Sequence, residues 1–129
     1  MGSAIPHATF GVAMTEGSDH RLIRSSGNDD HLAALAAKLA YELGCGHIFL
    51  VLFEGAFPLQ VLPSLRAVPT VLQIFAATGN PSIVLVAQLQ EQGAILGVAD
   101  GYSPLRRETS DERVSRRGAI RRFGYAEPD

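Results

Sequence analysis

The clearest pattern of hydrophobic and polar positions predicts an amphipathic helix that ends at Gly44. Its apolar residues recur at intervals of three and four, so they form one stripe of a helix. Asn28 is the predicted N-cap, and Asp29 and Asp30 face the positive end of the helix dipole. Gly44 is the predicted C-terminal stop. The stripe consists of Leu32, Leu35, Ala36, Leu39, Ala40 and Leu43.

Six short segments have the composition and pattern of β-strands. The first two flank a turn at residues 16–19 and predict a hairpin. The third is an uninterrupted apolar run, which predicts a buried central strand. The last three are joined by short links, which favour antiparallel neighbours. The six segments are residues 9–14, 21–24, 47–53, 71–77, 83–87 and 94–99.

Two further segments predict helices, one interrupted and one basic. Residues 58–68 have helical spacing, but Pro63 would kink a helix that begins at Pro58, so two short pieces or one helix from Pro63 are equally compatible. Residues 110–123 predict a final helix. The resulting order, β-β-α-β-α-β-β-β-α, indicates the α/β class, with a mixed sheet and helices on its faces.

Composition indicates one domain over residues 1–129. Apolar residues make up 47% of the chain, enough for a packed core. Cys45 is the only cysteine, which excludes an intrachain disulfide and a CxxC site. With no leader-like segment and no long apolar run, a cytoplasmic protein without membrane contact is expected.

The charge pattern argues against a nucleic-acid partner. The net charge is −2, and the seven arginines between Arg106 and Arg122 stand among three acidic residues. Basic residues near the end of a helix suit its dipole, and aromatic residues are sparse here. A solvated basic helix face is therefore favoured over a nucleic-acid surface.

His47 is the first candidate for chemistry. A neutral imidazole with a reference pKa of about 6.5 is a competent nucleophile near pH 7. Gly44 and Gly46 leave the flanking backbone open to a bulky anion. The alternative is a core histidine bonded to a backbone carbonyl, and the residues alone slightly favour that alternative.

Asp100, Asn80 and Glu16 are candidate ligand groups. Asp100 follows a predicted strand, where it would bind a hydroxyl such as that of ribose, act as a base, or form a turn with Gly101. Asn80 would bond either a ligand or its own turn, and Glu16 would be solvated. His47 begins its predicted strand, whereas Asn80 and Asp100 follow theirs. They share one sheet edge only if the strand of residues 47–53 runs antiparallel to the other two.

Two kinds of site are excluded by their missing motifs. The chain has no GxxxxGK[ST] loop, and its only lysine, Lys38, lies mid-helix, so a Walker-type phosphate cradle is excluded. The histidines lack paired metal-ligand spacing and no HExxH motif occurs, so no metal ligand is predicted.

Together the motifs resemble the small adenosine-specific kinase family of archaea and some bacteria. The likeness runs in register from about Ile5 to Tyr125. It implies a three-layer α/β fold, a trimer, association with adenosine and AMP, and a phosphoryl group carried on His47. The matching motifs are Phe10-Gly11-Val12-Ala13 with Glu16, Ser26-Gly27-Asn28-Asp29, Gly44 to Phe49, Gly55 to Pro58, Ala77-Thr78-Gly79-Asn80-Pro81 and Ile95 to Pro104.

The sequence departs from this family in three places. The family's first strand and helix, before the segment that matches Ile5, are missing, so either the start is truncated or a partner chain covers the sheet edge. Gln60 and Pro63 replace two asparagines. Residues 88–93 lack a carboxylate and an arginine that the family carries.

The resemblance therefore implies a phosphotransferase acting on adenosine or AMP through His47. Asp100 and Asn80 would position the nucleoside, with Glu16 and Tyr102 as further substrate-binding candidates. Arginines such as Arg66 or Arg106 would have to supply positive charge, with or without Mg²⁺ as a cofactor. The alternatives are a non-catalytic adenosine- or AMP-binding module and an oligomeric scaffold without a nucleoside ligand.

Overall fold

Strands and helices follow one another in the order β-β-α-β-α-β-β-α in the computed structural model, which describes residues 8–122. The α/β class is thus confirmed. The strands are β1 (Thr9–Thr15), β2 (Ile23–Gly27), β3 (Phe49–Glu54), β4 (Ser82–Leu89) and β5 (Gln92–Asp100). The helices are α1 (Asp30–Leu43), α2 (Pro58–Arg66) and α3 (Ser110–Arg122).

The first sheet and α1 form the core. The strand order is β2-β1-β3, with both pairs antiparallel, so the predicted hairpin is confirmed. The core is built from small side chains: Ala13 of β1 and Ala36 and Ala40 of α1 are fully buried. A side chain at Gly11 would overlap the backbone at Leu32, so α1 approaches β1 almost backbone to backbone. Glycine at this position permits that approach.

The N-cap of α1 is Asp29 rather than the predicted Asn28. The Asp29 side chain accepts a hydrogen bond of 2.9 Å from the Leu32 backbone N–H. Asn28 instead fixes the start of β1, because its side chain accepts from Phe10 N at 2.8 Å and donates to Ala8 O at 3.0 Å. The predicted helix end at Gly44 is confirmed, with a left-handed φ of 67°.

The second sheet is the antiparallel hairpin β4–β5. Its register runs from Ser82 opposite Asp100 to Leu89 opposite Gln92, which confirms the antiparallel pairing predicted for these two strands. One face is half-buried and turned towards the first sheet. The other face leaves large apolar side chains more than half exposed: Ile83, Leu85 and Leu96.

The predicted strand over residues 71–77 is wrong. This segment crosses the space between the two sheets without joining either ladder. Every described strand pair is antiparallel, so the described residues form two antiparallel sheets rather than one mixed sheet. Strand propensity measures how well a residue suits a half-buried pleated surface. It does not supply the neighbouring strand that a ladder needs.

Helix α2 is continuous through Pro63, unlike either alternative predicted from the sequence. Pro58 occupies its first turn, where no donor is needed, and the Gln60 side chain accepts from Phe57 N at 2.7 Å. Pro63 removes one backbone donor, but its own carbonyl still accepts from Ala67 N at 3.1 Å.

The predicted start of the basic helix α3 is confirmed, and its predicted end at Phe123 lies outside the described residues. Within residues 8–122, no helix is long and apolar enough to cross a membrane.

Candidate functional site

His47 lies on a tight turn between α1 and β3. It comes two residues before β3 begins, outside the strand predicted for it, and its φ of 56° is left-handed. This conformation costs a non-glycine residue roughly 1–2 kcal/mol. The imidazole is exposed and makes no hydrogen bond to any described residue. The interpretation of His47 as a core histidine is therefore wrong.

Thr15, at the end of β1, holds this turn through four hydrogen bonds. Its backbone carbonyl accepts from His47 N at 3.2 Å, and its N–H donates to Ile48 O at 2.9 Å. Its hydroxyl donates to Cys45 O at 2.8 Å and accepts from Ile48 N at 3.0 Å. The backbone is thus fixed on both sides of the strained residue. No sequence pattern indicated this contact, because Thr15 precedes the turn by about thirty residues.

The imidazole ring of His47 lies directly against the backbone of Gly17. A Cβ atom at Gly17 would overlap the imidazole ring at both Cδ2 and Nε2. A Cβ at Gly46 would stand 3.1 Å from Gly17 Cα. The missing side chain at Gly17 therefore provides the space that the ring occupies.

Cys45 contributes packing rather than a second nucleophile. Its side chain is buried, with 4% exposure, and its thiol contacts Leu43 O at 3.5 Å. Burial raises the pKa of the Cys45 thiol. Because the thiolate is the reactive form, the exposed His47 is the better candidate nucleophile of the two.

Two cavities meet at His47. The first is an apolar groove of about 490 Å³ between β3, the segment around Val71 and Ile74, and the inner face of β4–β5. The second, of about 630 Å³, lies between Glu16, the turn at Gly44–Gly46 and the tip of the β4–β5 hairpin. Both volumes fall in the range of small-molecule sites. His47 is thus open to a ligand on two sides.

Glu16 shares the second cavity with His47, but its carboxylate already has partners. One oxygen accepts from Leu22 N at 2.9 Å, and the other lies 3.6 Å from the Arg24 guanidinium. Both contacts close the turn between β1 and β2. Glu16 therefore shapes the wall of the cavity on which Gly17 and His47 depend.

Asn80 and Asp100 lie together at the far end of the β4–β5 hairpin. Asn80 Nδ2 donates to Asp100 Oδ1 at 3.4 Å, and Asn80 N donates to Thr78 Oγ1 at 2.9 Å. Tyr102, just beyond them, is 87% exposed. This end of the hairpin thus presents a carboxylate, an amide and an aromatic ring to solvent.

None of these three groups lines either cavity at His47, although the first cavity extends to Thr78 and Ser82. His47 borders the opposite end of the hairpin, at Gln92–Ala94. Strands rise about 3.3 Å per residue, so β5 carries Asp100 roughly 26 Å away from that end. The five candidate residues therefore form two groups: His47 with Glu16, and Asn80 with Asp100 and Tyr102.

The arginines proposed to supply positive charge differ in availability. Arg106 forms a two-pronged contact with Glu112, at 2.6 and 3.0 Å, and this contact is the main reason that the pKa of Glu112 falls to about 2. Arg66, at the end of α2, has no ion-pair partner among residues 8–122. In the same part of the chain, no group of three acidic, histidine or cysteine side chains is placed to hold a metal ion.

The chain was compared with known families and structures. No curated protein matches it. Among solved structures, it is similar to the PH1918 protein from Pyrococcus horikoshii OT3, with 38% sequence identity and a TM-score of 0.89; the match covers 98% of this chain and 78% of that one. A family model described as adenosine specific kinase matches residues 1–126. Since that match spans nearly the whole sequence, the chain belongs to the adenosine-specific kinase family.

Proposed function

We propose that this protein is a phosphotransferase that acts on adenosine or AMP, with His47 as the phosphoryl acceptor. Membership of the family supports a nucleoside-related function. The observation that carries the role of His47 is its placement: an exposed imidazole without a hydrogen-bond partner among the described residues, on a turn fixed by Thr15, at the junction of two cavities. A structural histidine would not need this combination.

The proposed reaction has two steps. An imidazole nitrogen of His47 attacks the phosphorus of a phosphate donor, so an N–P bond forms while the P–O bond to the leaving group breaks and the leaving group keeps the electron pair. The nucleoside hydroxyl then attacks the same phosphorus, the N–P bond breaks, and the hydroxyl proton passes to a base or to water. Both steps depend on positioning and charge neutralisation.

Charge neutralisation would come from outside the turn. Arg66 is a candidate because Arg106 is already engaged by Glu112. Mg²⁺ is usually held by one or two carboxylates together with substrate phosphates. Any Mg²⁺ used here would be held mainly by the phosphate donor, because the described residues offer no three-ligand cluster.

Intact-mass measurement after incubation with phosphate donors tests the role of His47. The wild-type protein is expected to gain the mass of one phosphoryl group, and adenosine or AMP should discharge it. His47→Ala should lose this gain, whereas His20→Ala and His31→Ala, which remove other exposed histidines, should keep it. Phosphorylation of His47→Ala at the wild-type level would show that His47 is not the acceptor.

The second candidate function is a non-catalytic adenosine- or AMP-binding module. One observation favours it: residues 88–93, where the expected carboxylate and arginine are missing, form the hairpin tip that borders the cavity beside His47. Glu91 is the only charged side chain left there. Calorimetric binding of adenosine without phosphorylation would support this module. Absence of any nucleoside binding would favour a scaffold.

A further inference from the structure

The two cavities at His47 differ in the charges that line them. Among the described residues, no arginine, lysine or carboxylate lines the first cavity, whose walls are mostly aliphatic and aromatic. A phosphate group that entered this groove would lose hydration without gaining a compensating charge, which is costly. In the same part of the chain, the second cavity is lined by one arginine, Arg21, and by two carboxylates, Glu16 and Glu91. An anionic group would therefore reach His47 from the second cavity.

The positive charge of Arg21 is available to a ligand in this cavity. Its side chain is exposed and forms no hydrogen bond or ion pair with any other described residue. The carboxylate of Glu16 does not engage it, because that carboxylate lies 3.6 Å from the guanidinium of Arg24. Arg66 and Arg106, in contrast, line neither cavity. Arg21 can therefore bind an external anion without giving up an internal partner.

The backbone holds Arg21 at this cavity much as it holds His47. The φ angle of Arg21 is 52° and that of His47 is 56°, both in the left-handed region. This conformation is costly for a residue with a side chain and persists only where the surrounding contacts fix it. The Arg21 N–H donates to Ser18 O at 3.1 Å within the turn between β1 and β2. The same turn carries Gly17, against which the His47 ring lies. Arg21 and His47 thus belong to two fixed turns that touch each other.

We propose that Arg21 binds the phosphate group that reacts with His47, so that the second cavity is the phosphate-binding side of the site. This inference rests on the proposed function, because it names the residue that neutralises charge in that reaction. The planar guanidinium donates two parallel N–H bonds to phosphate oxygens. These bonds stabilise the negative charge that the phosphoryl oxygens carry during transfer. Glu91, which lines the same cavity, opposes phosphate binding through its like charge.

Calorimetric binding of methylenediphosphonate tests this assignment separately from turnover. This pyrophosphate analogue has a P–C–P bridge, which is not cleaved to transfer a phosphoryl group, and divalent cations are left out so that only the protein supplies positive charge. Arg21→Gln should weaken binding on the order of tenfold to a hundredfold, because charge-assisted hydrogen bonds are lost. Arg21→Lys keeps the charge but not the planar fork, so it should weaken binding by less. Glu91→Gln removes a like charge from the cavity and should strengthen binding by roughly twofold to fivefold.

A matched control and a second measurement separate ligand binding from a structural role. Arg107→Gln removes another exposed arginine, which lines neither cavity, and should leave binding unchanged. Arg21→Gln should unfold at nearly the wild-type temperature, because its side chain has no contact within the described residues to lose. The rate of phosphoryl acceptance, followed by intact mass on the same variants, should fall with Arg21→Gln and not with Arg107→Gln.

The outcomes separate this inference from the proposed function. If Arg21→Gln binds the analogue and accepts a phosphoryl group as well as the wild type does, the inference is overturned while the phosphotransferase stands. Unchanged or weaker binding by Glu91→Gln would place the anion outside this cavity and overturn the inference as well. A wild type that binds the analogue through Arg21 but is never phosphorylated would support the phosphate site and reject the phosphotransferase. A wild type that neither binds nor is phosphorylated would reject both proposals.

Discussion

Replacing Thr15 with valine should loosen the His47 turn while keeping the shape of the side chain. The substitution removes the hydroxyl that donates to Cys45 O and accepts from Ile48 N. Each such hydrogen bond stabilises a protein by about 1 kcal/mol, and leaving a half-buried partner unpaired adds to the loss. The two backbone bonds of Thr15 remain. The expected loss in the free energy of unfolding is therefore about 2–3 kcal/mol.

The effect should be visible in both stability and chemistry. For a chain of this size, 1 kcal/mol corresponds to about 4 °C, so the midpoint of thermal unfolding should fall by roughly 10 °C. The left-handed backbone of His47 would also lose its support, so phosphoryl acceptance should fall on the order of tenfold to a hundredfold. Intact-mass time courses at a temperature where the variant is folded measure this second effect separately.

Two further variants decide whether the hydroxyl is responsible. Thr15→Ser keeps the donor and acceptor and should retain most of the stability and the phosphorylation rate. Thr9→Val removes a hydroxyl at the other end of β1, for which no hydrogen bond is seen among the described residues, and should change little. A Thr15→Val protein as stable as the wild type, or a Thr15→Ser protein as impaired as the valine variant, would refute the reasoning.

Three other predictions concern the turn and α3. Gly17→Ala should displace the His47 ring and lower phosphoryl acceptance, because the new Cβ overlaps the imidazole, while stability changes by less than about 1 kcal/mol because the exposed ring can swing away. His47→Gly should unfold at a higher temperature than His47→Ala, since glycine removes a left-handed penalty of about 1 kcal/mol. The pKa of Glu112 is lowered to about 2 from an ordinary 4.5. The bonds of its carboxylate to Arg106 and Thr109 should therefore stabilise the start of α3 above pH 4.5 and be lost as the pH falls towards 2. The chemical shift of the Thr109 amide should report this loss.

Each of these has a matched comparison. Gly79→Ala adds a methyl group in open space and should leave phosphorylation unchanged; equal rates for the Gly17 and Gly79 variants would contradict the packing argument. If His47→Ala unfolds at the same temperature as His47→Gly or at a higher one, the argument that the left-handed backbone at position 47 is strained would be wrong. In α3, Glu112→Gln should reproduce the acid effect at neutral pH and Asp111→Asn should not.

The fold could be predicted from the sequence where the local pattern and the tertiary packing agree. The stripe that predicted α1 includes Leu32, Ala36 and Ala40, which are buried, although Leu35 stays exposed. The strand prediction for residues 71–77 was wrong because this segment borders the groove without a neighbouring strand to pair with. The N-cap shifted by one residue because Asn28 is taken by β1, a contact across about twenty residues that no local pattern contains.

The sequence indicated which residues are candidates for the site, but it did not indicate how they lie relative to one another. Gly44 and Gly46 indicated an open backbone around His47, but nothing in the sequence indicated that His47 itself takes a left-handed conformation. The clamp by Thr15 and the packing on Gly17 depend on how β1 meets β3, which sequence spacing does not encode. The separation of His47 from Asp100 was open from the sequence, because it depends on the relative direction of β3 and β5.

The alanine core couples the position of α1 to the position of the His47 turn. Because Ala13, Ala36 and Ala40 leave almost no gap between helix and sheet, a larger side chain there has no space to occupy and must lift the helix. The end of α1 runs through Gly44 directly into the His47 turn, so that lift would be transmitted to the imidazole. Larger side chains in the core would therefore displace the His47 imidazole at a smaller perturbation than the one that unfolds the protein.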